Sequence, residues 1–362
     1  MGTKESKVGV GIVGCGFVAN MKHLPALSNI PEAEIVAIFD VSQERAEAAA
    51  NKYSQNAAIY KTFKELLADK RVDTVYILTA NRTHSEYAIE AMLAGKHVLC
   101  EKPMAMNLVE AERMLETTEK TKKKLTIGYQ CRLSPEVIYL KELCDEGKLG
   151  EIYYAKALAV RRRAVPTWGS FLDKQAQGGG CLIDMGTHAI DLTLHLMNNY
   201  EVSSVMGNTY NYLGKTPTDA NAFGKWDPDE FEVEDSAFAL IRMKNGATIS
   251  VDCSWALNAL LVQENKTVLC GTKGGADILD GVRLNGESDG VLTVTTPDLY
   301  KKTGASLPNF GNAPEVPTES RLWIDAILND TDPFVKPHEA YTVSRIIEAI
   351  YTSAETGQSV SL

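Results

Sequence analysis

The chain has 362 residues, 44% of them hydrophobic, and a formal net charge of -10 at neutral pH. That length predicts two domains with sizeable cores, and the acidic balance disfavours nucleic acid and anionic membranes as partners. A small neutral substrate suits the charge better. Seven cysteines show no C-x-x-C pair and no zinc-finger spacing with histidine, which predicts free thiols in a reducing compartment. No apolar run approaches the ~18 residues of a membrane span, and the first residues show no signal-peptide pattern, so a cytoplasmic protein is expected.

In chain order, Val8–Val13 is a short apolar run ending in glycines, as a buried parallel strand would be. Residues 34–40 (EIVAIFD) form a second such run, and Ser42 can cap the helix QERAEAAANKY that follows. Strand-like 73–80, helical 84–94, strand-like 97–100, helical 108–124 and strand-like 125–129 continue the alternation. Residues 1–125 therefore read as an α/β, doubly wound parallel sheet of Rossmann type.

From about residue 150 the texture changes. Residues 151–163, 202–212, 231–245, 247–257, 266–279 and 290–296 are long and strand-like, and Asn245-Gly246 marks a hairpin. One helix over 181–197 interrupts them, and two more are expected at 318–328 and 338–356. Residues 126–362 thus predict an α+β domain with a large, mainly antiparallel open sheet, its terminal helix free to pack back on the first domain. Residues 214–230 read as a long surface loop, a lid or a subunit contact.

Gly14, Gly16 and Ala19 match G-x-G-x-x-A directly after the first strand. Gly14 permits the tight turn, Gly16 lets backbone approach a pyrophosphate, and Ala19 allows close helix packing. Asp40 ends the second strand, where an acid accepts bonds from the adenosine ribose and repels a 2′-phosphate. NAD is therefore expected ahead of NADP. Arg45, the only nearby arginine, reads as a surface helix cation. Gly214-Lys215-Thr216 resembles the end of a P-loop, but Thr209 stands where its first glycine belongs. No G-x-S-x-G elbow occurs.

Glu101-Lys102-Pro103 follows a predicted parallel strand, whose carboxyl end is where ligands of such sheets bind. Lys102 can there donate to a substrate oxygen, and Pro103 makes a cis bond possible. Gly178-Gly179-Gly180 would let backbone approach a ligand closely. Asp184 and His188, four apart, share a helix face, so the aspartate can steady an imidazole that takes the alcohol proton. A helix-surface ion pair is the plain alternative. Asp184, His188, Asp191 and His195 form a stripe spanning ~16 Å, too long for one metal ion. No metal is expected, and Asp191 and His195 are assigned to a domain or subunit junction. Arg161-Arg162-Arg163 reads as a solvated strand end or as an anion or substrate contact.

Taken together, Gly14-Cys15-Gly16 with Ala19, Asn81-Arg82-Thr83-His84, Glu101-Lys102-Pro103, Gly178-Gly179-Gly180, Asp184-x-x-x-His188 and 353–357 (SAETG) resemble the Gfo/Idh/MocA oxidoreductases along nearly the whole chain. The resemblance implies that Lys102, Asp184 and His188 act at the substrate carbon. It implies a cofactor site of Gly14, Gly16, Phe17, Val18, Asp40, Thr79, Asn81, His84, Glu101 and Lys102. Tyr129, Arg163 and Trp168 would join Lys102, Asp184 and His188 around the substrate. The implied activity is hydride transfer between a nicotinamide and a secondary alcohol or ketone of a sugar, glycoside or cyclitol, in a homodimer or homotetramer built through the second-domain sheet. An NAD-dependent glycoside hydrolase working by transient oxidation and a non-catalytic dinucleotide sensor are the alternatives.

Overall fold

A computed structural model describes residues 7–299 and 318–362. They form two compact units, 7–128 with 318–341 and 129–299 with 342–362.

The first unit is built on six parallel strands: β1 Val8–Val13, β2 Ala33–Phe39, β3 Ala58–Ile59, β4 Thr74–Ile77, β5 His97–Cys100 and β6 Leu125–Ile127. Their order, β3-β2-β1-β4-β5-β6, is that of a doubly wound dinucleotide-binding sheet. Every residue of β1 is buried, because helices cover both faces of such a sheet and leave no strand side for water. Helix starts are locally specified: Ser42 caps Gln43–Tyr53, Thr62 and Glu65 close a capping box, and Asn107 caps Leu108–Thr121. The unit also takes in 318–341, far beyond the span of 1–125. Its helix Glu319–Leu328 brings Trp323 and Ile324 into the core around Val10, Ile12 and Ile38, and Trp323 Nε1 donates to Thr74 Oγ1 at 3.0 Å.

The second unit carries β7 Ile152–Val160, β8 Val202–Tyr210, β9 Ser236–Met243, β10 Thr248–Ser254, β11 Gln263–Gly271, β12 Gly275–Asp277, β13 Arg283–Ser288, β14 Val291–Thr295 and β15 Val360–Ser361. They pair in the order β14-β13-β12-β11-β7-β10-β9-β8-β15, antiparallel except between β7 and β10. Helix Thr187–Met197 covers β7 and β11 and is almost wholly buried. On the opposite face, cross-strand neighbours Met206 and Leu240 are exposed. The segment 214–230 is pinned to its own unit. Gly214 N–H donates to Asp235 at 2.7 Å, and Trp226 Nε1 donates back to the Gly214 carbonyl at 2.7 Å. No helix among the described residues is long and apolar enough to cross a membrane.

Asp191 is paired within its own unit. Its carboxylate is fully buried and takes a two-pronged bond from Arg132, Nε to Oδ2 at 2.9 Å and Nη2 to Oδ1 at 2.5 Å. Burying two charges is tolerable only when each satisfies the other, so removing one partner strands the second. Arg132→Met should therefore lose about 3–5 kcal/mol in urea unfolding followed by circular dichroism, while Arg132→Met/Asp191→Leu recovers most of it. A single variant within about 0.5 kcal/mol of wild type would show that the pair is not structural.

Candidate active site

In the first unit, the expected cofactor residues gather at the carboxyl ends of β1, β2, β4 and β5. Gly14 turns the chain with φ 92°, and a Cβ there would sit 2.7 Å from the Leu78 carbonyl oxygen, so only glycine fits. Gly16 differs: nothing lies within 4 Å of where its Cβ would point. That empty space above the turn is the cradle a pyrophosphate needs, and Phe17, 74% exposed, and the exposed Val18 flank it. The Asn20 amide ties the turn by donating to the Cys15 and Gly16 carbonyls, each at 2.9 Å.

Asp40 closes the turn from β2. Its Oδ2 accepts the Cys15 N–H at 2.7 Å, and its Oδ1 accepts the Ser42 N–H at 2.7 Å. Arg45 is an exposed cation of the helix Gln43–Tyr53, as expected, and it also pairs with Asp40. Its Nη2 and Nε reach Asp40 Oδ1 at 2.8 and 3.1 Å, because Ser42 starts the helix three residues before it and aims it back. Partial burial pushes the Asp40 carboxyl up, but the Arg45 bond and the two backbone donors outweigh it and hold the group below the usual carboxylate range. Burial, with the neighbouring Asp40 charge, pushes the Cys15 thiol up to about 12, so it is no nucleophile.

The end of β5 is organised by Glu101, which is buried. Its Oε1 lies 2.8 Å from Lys22 Nζ and 2.7 Å from His23 Nε2, while Oε2 accepts the Lys102 N–H at 3.1 Å. Lys22 also reaches Glu319 Oε2 at 2.7 Å. Burial would raise the Glu101 pKa, but the Lys22 charge and the His23 bond prevail and keep it well below the ordinary value. His23, Glu101 and Glu319 are the one group among the described residues with three metal-ligating atoms close together, within 4.8 Å of one another, and their carboxylates already bracket the Lys22 ammonium. The Lys102–Pro103 bond is cis. His84 is wholly buried, with Nδ1 2.8 Å from the Pro103 carbonyl and Nε2 3.1 Å from the Thr79 carbonyl, so it ties the ends of β4 and β5 together. Asn81 opens the short helix Asn81–Thr83, and Thr79 Oγ1 accepts from Thr83 Oγ1 at 2.7 Å.

In the second unit, Asp184 lies in a wide helical turn of π type, Leu182–Gly186, directly before the helix that carries His188. Trp255 Nε1 donates to Asp184 Oδ2 at 3.1 Å. Tyr129 packs edge-on to the His188 ring, centroids 6.1 Å apart, and its hydroxyl meets Thr187 Oγ1 at 2.9 Å. Trp168, 48% exposed, meets Phe223 and Phe171 edge-on, and Phe171 in turn meets Trp255. Arg163 is held by the Asn258 side chain at 2.6 Å, whereas Arg161 pairs with Glu264.

The triple glycine has a different reason from the one expected. A Cβ on Gly179 would lie 2.1 Å from the Tyr351 hydroxyl, and one on Gly180 would lie 2.1 Å from the Glu234 carbonyl oxygen. The close approach is to protein. Glu234 then takes the Gly180 and Leu182 N–H groups at 2.8 and 3.0 Å and the Tyr351 hydroxyl at 2.9 Å, fixing the start of the Asp184 turn. Burial pushes the Glu234 carboxyl up against these donors. Sequence reasoning missed Glu234, Tyr351, Trp255 and the Lys22-His23 pair. Only the last leaves a signal, two adjacent basic residues between Met21 and the apolar Leu24-Pro25-Ala26-Leu27.

A parallel sheet of this order, with an open glycine turn after β1 and an acid after β2, defines a dinucleotide-binding protein. Residues 8–129 match the family described as "Oxidoreductase family, NAD-binding Rossmann fold", and residues 137–277 match the "GFO/IDH/MocA C-terminal domain". The chain is 32% identical over 358 residues to D-glucoside 3-dehydrogenase of Escherichia coli, covering 99% of this chain and 98% of that protein. It is 30% identical over 265 residues to myo-inositol 2-dehydrogenase of Thermotoga maritima, 73% of each. The crystal structure of an oxidoreductase domain protein from Kribbella flavida shares the fold, with a TM-score of 0.85 at 22% identity over 98% of this chain and 99% of that one. The chain belongs to the GFO/IDH/MocA oxidoreductase family, and NAD is the cofactor its first unit fits.

The two glycines should separate under substitution. Gly14→Ala should cost about 1–3 kcal/mol of stability, because φ 92° and the Leu78 carbonyl both oppose a Cβ. Gly16→Ala should melt like wild type yet bind NADH about tenfold or more weakly, read by nucleotide fluorescence. Unchanged NADH affinity in Gly16→Ala would remove the pyrophosphate from this turn.

Proposed function

We propose that the protein is an NAD-dependent dehydrogenase acting on a secondary alcohol of a sugar, glycoside or cyclitol. The observation that carries this reading is Lys102, set at the carboxyl end of β5 in the nucleotide sheet with its backbone N–H held by buried Glu101. The full-length likeness to a glucoside dehydrogenase and the partial likeness to an inositol dehydrogenase supply the substrate class.

Bound NAD supplies the hydride acceptor. Lys102 donates to the substrate oxygen and stabilises its developing negative charge. His188 takes the hydroxyl proton as the carbon gives up its hydride, and Asp184, itself held by Trp255, steadies the imidazolium. The reverse ketone reduction uses the same groups. Tyr129 backs the His188 ring, Trp168 offers an exposed aromatic face to a sugar ring, and Arg163 reaches its hydroxyls. Asn81, Thr79 and His84 are assigned to the cofactor side, His84 through the two carbonyls it holds. Self-association is assigned to the outer face of the nine-stranded sheet, where Met206 and Leu240 stand side by side in the open.

Nicotinamide absorbance should rise when NAD is offered with a panel of glycosides and inositols. His188→Ala and Lys102→Met should each lower kcat about 10²–10⁴-fold, and His188→Ala should keep its NADH affinity. Full turnover in His188→Ala would remove the base from the mechanism.

A further inference from the structure

The segment 214–230 and the residues that follow β7 are laced into one wall of the second unit. The Asn221 side chain accepts the Val165 N–H and donates to the Val165 carbonyl, each at 2.9 Å. The Ala222 N–H donates to the Arg163 carbonyl at 3.1 Å, and Thr167 Oγ1 donates to the Phe223 carbonyl. These bonds fix the chain on either side of Phe223 without using its ring.

That ring is 43% exposed, and it meets Trp168, 48% exposed, at 90° with centroids 4.9 Å apart. The two make an open aromatic corner on a fixed backbone. A flat ligand seated there covers one ring with its face and meets the other with its edge, the arrangement aromatic quadrupoles favour. The corner also stands close to the residues read as reacting in the same unit. The Arg161 guanidinium lies 5.9 Å from the centre of the Phe223 ring. Burial works against the Arg161 charge, but the Glu264 bond and charge, and then the charge of Asp184, hold its pKa up. One side chain thus covers Phe223 and stands within electrostatic reach of Asp184. On the other side, Trp168 meets Phe171, and Phe171 meets Trp255, the donor to Asp184.

We propose that Trp168 and Phe223 form a subsite for the group attached to the reacting sugar. The substrate is then a glycoside whose aglycone presents a flat apolar face, either an aryl ring or the C–H face of a second sugar. This rests on the reading of Asp184 and His188 as the reacting residues, and it selects glycosides from the sugars, glycosides and cyclitols named there. A free sugar or a cyclitol leaves the corner in water and gains nothing from it.

Calorimetric titration of the full chain in the presence of NADH, with phenyl, glucosyl and methyl glucosides, reads the corner without turnover. Wild type should bind the phenyl and glucosyl glucosides about tenfold tighter than the methyl glucoside. Phe223→Ala should lower that ratio about fivefold or more, and Phe223→Tyr should keep it. A preference confined to the phenyl glucoside would assign the corner to aryl aglycones alone. Equal affinities in wild type, no binding of any glucoside, or a ratio that survives Phe223→Ala would overturn the subsite. Nicotinamide absorbance that stays flat with NAD while the preference holds would overturn the dehydrogenase reading and leave the subsite standing.

Discussion

One buried carboxylate, that of Glu101, ties the end of β5 to the helix after the glycine turn. One oxygen is shared by Lys22 and His23, which belong to the helix leaving the glycine turn, and the other holds the backbone of Lys102. The helix after the nucleotide turn and the Lys102 backbone are thus two ends of one buried ionic network. Glu319, more than two hundred residues later in the chain, closes that network on Lys22. Such a network is poor value as stabilisation, since burying the charges costs about what their attraction returns. Its use is geometric: it fixes where the lysine backbone stands relative to the dinucleotide cradle.

The second unit arrives at the same end by different means. Its helix carrying His188 is almost wholly buried. Tyr129 bounds the imidazole on one side, and Trp255 fixes Asp184 by a single N–H. Glu234 and Tyr351 hold the turn before Asp184 and crowd Gly179 and Gly180, while Gly178 ends the preceding short helix with φ 85°. The aromatic chain Trp168–Phe171–Trp255 links an exposed ring to the indole that donates to Asp184.

Much of this was legible in the amino-acid order. Buried parallel strands announce themselves as short apolar runs, which is why β1, β2, β4 and β5 could be read, and the alternation after residue 150 marked the antiparallel sheet. Gly14 and Gly16 were readable because a turn of this kind admits no other residue at the first, and a side chain at the second would take the space of a pyrophosphate. What escaped was long-range pairing. Nothing near Asp191 in the chain announces Arg132 fifty-nine residues earlier, and nothing near Glu101 announces Lys22. Arg45 was visible but assigned to solvent, because its partner becomes adjacent only when Ser42 turns the chain into the helix. The triple glycine was read as ligand contact because the protein groups that crowd it, Glu234 and Tyr351, lie far off in sequence.

In the proposed reaction Lys102 and His188 act on the same alcohol in a single step. Groups that act as one unit lose their effects together, so a Lys102/His188 double-mutant cycle in kcat is the most direct measurement. The double variant should be scarcely slower than the worse single one. Losses that multiply in full would mean that the two side chains serve separate steps, and would contradict that reaction.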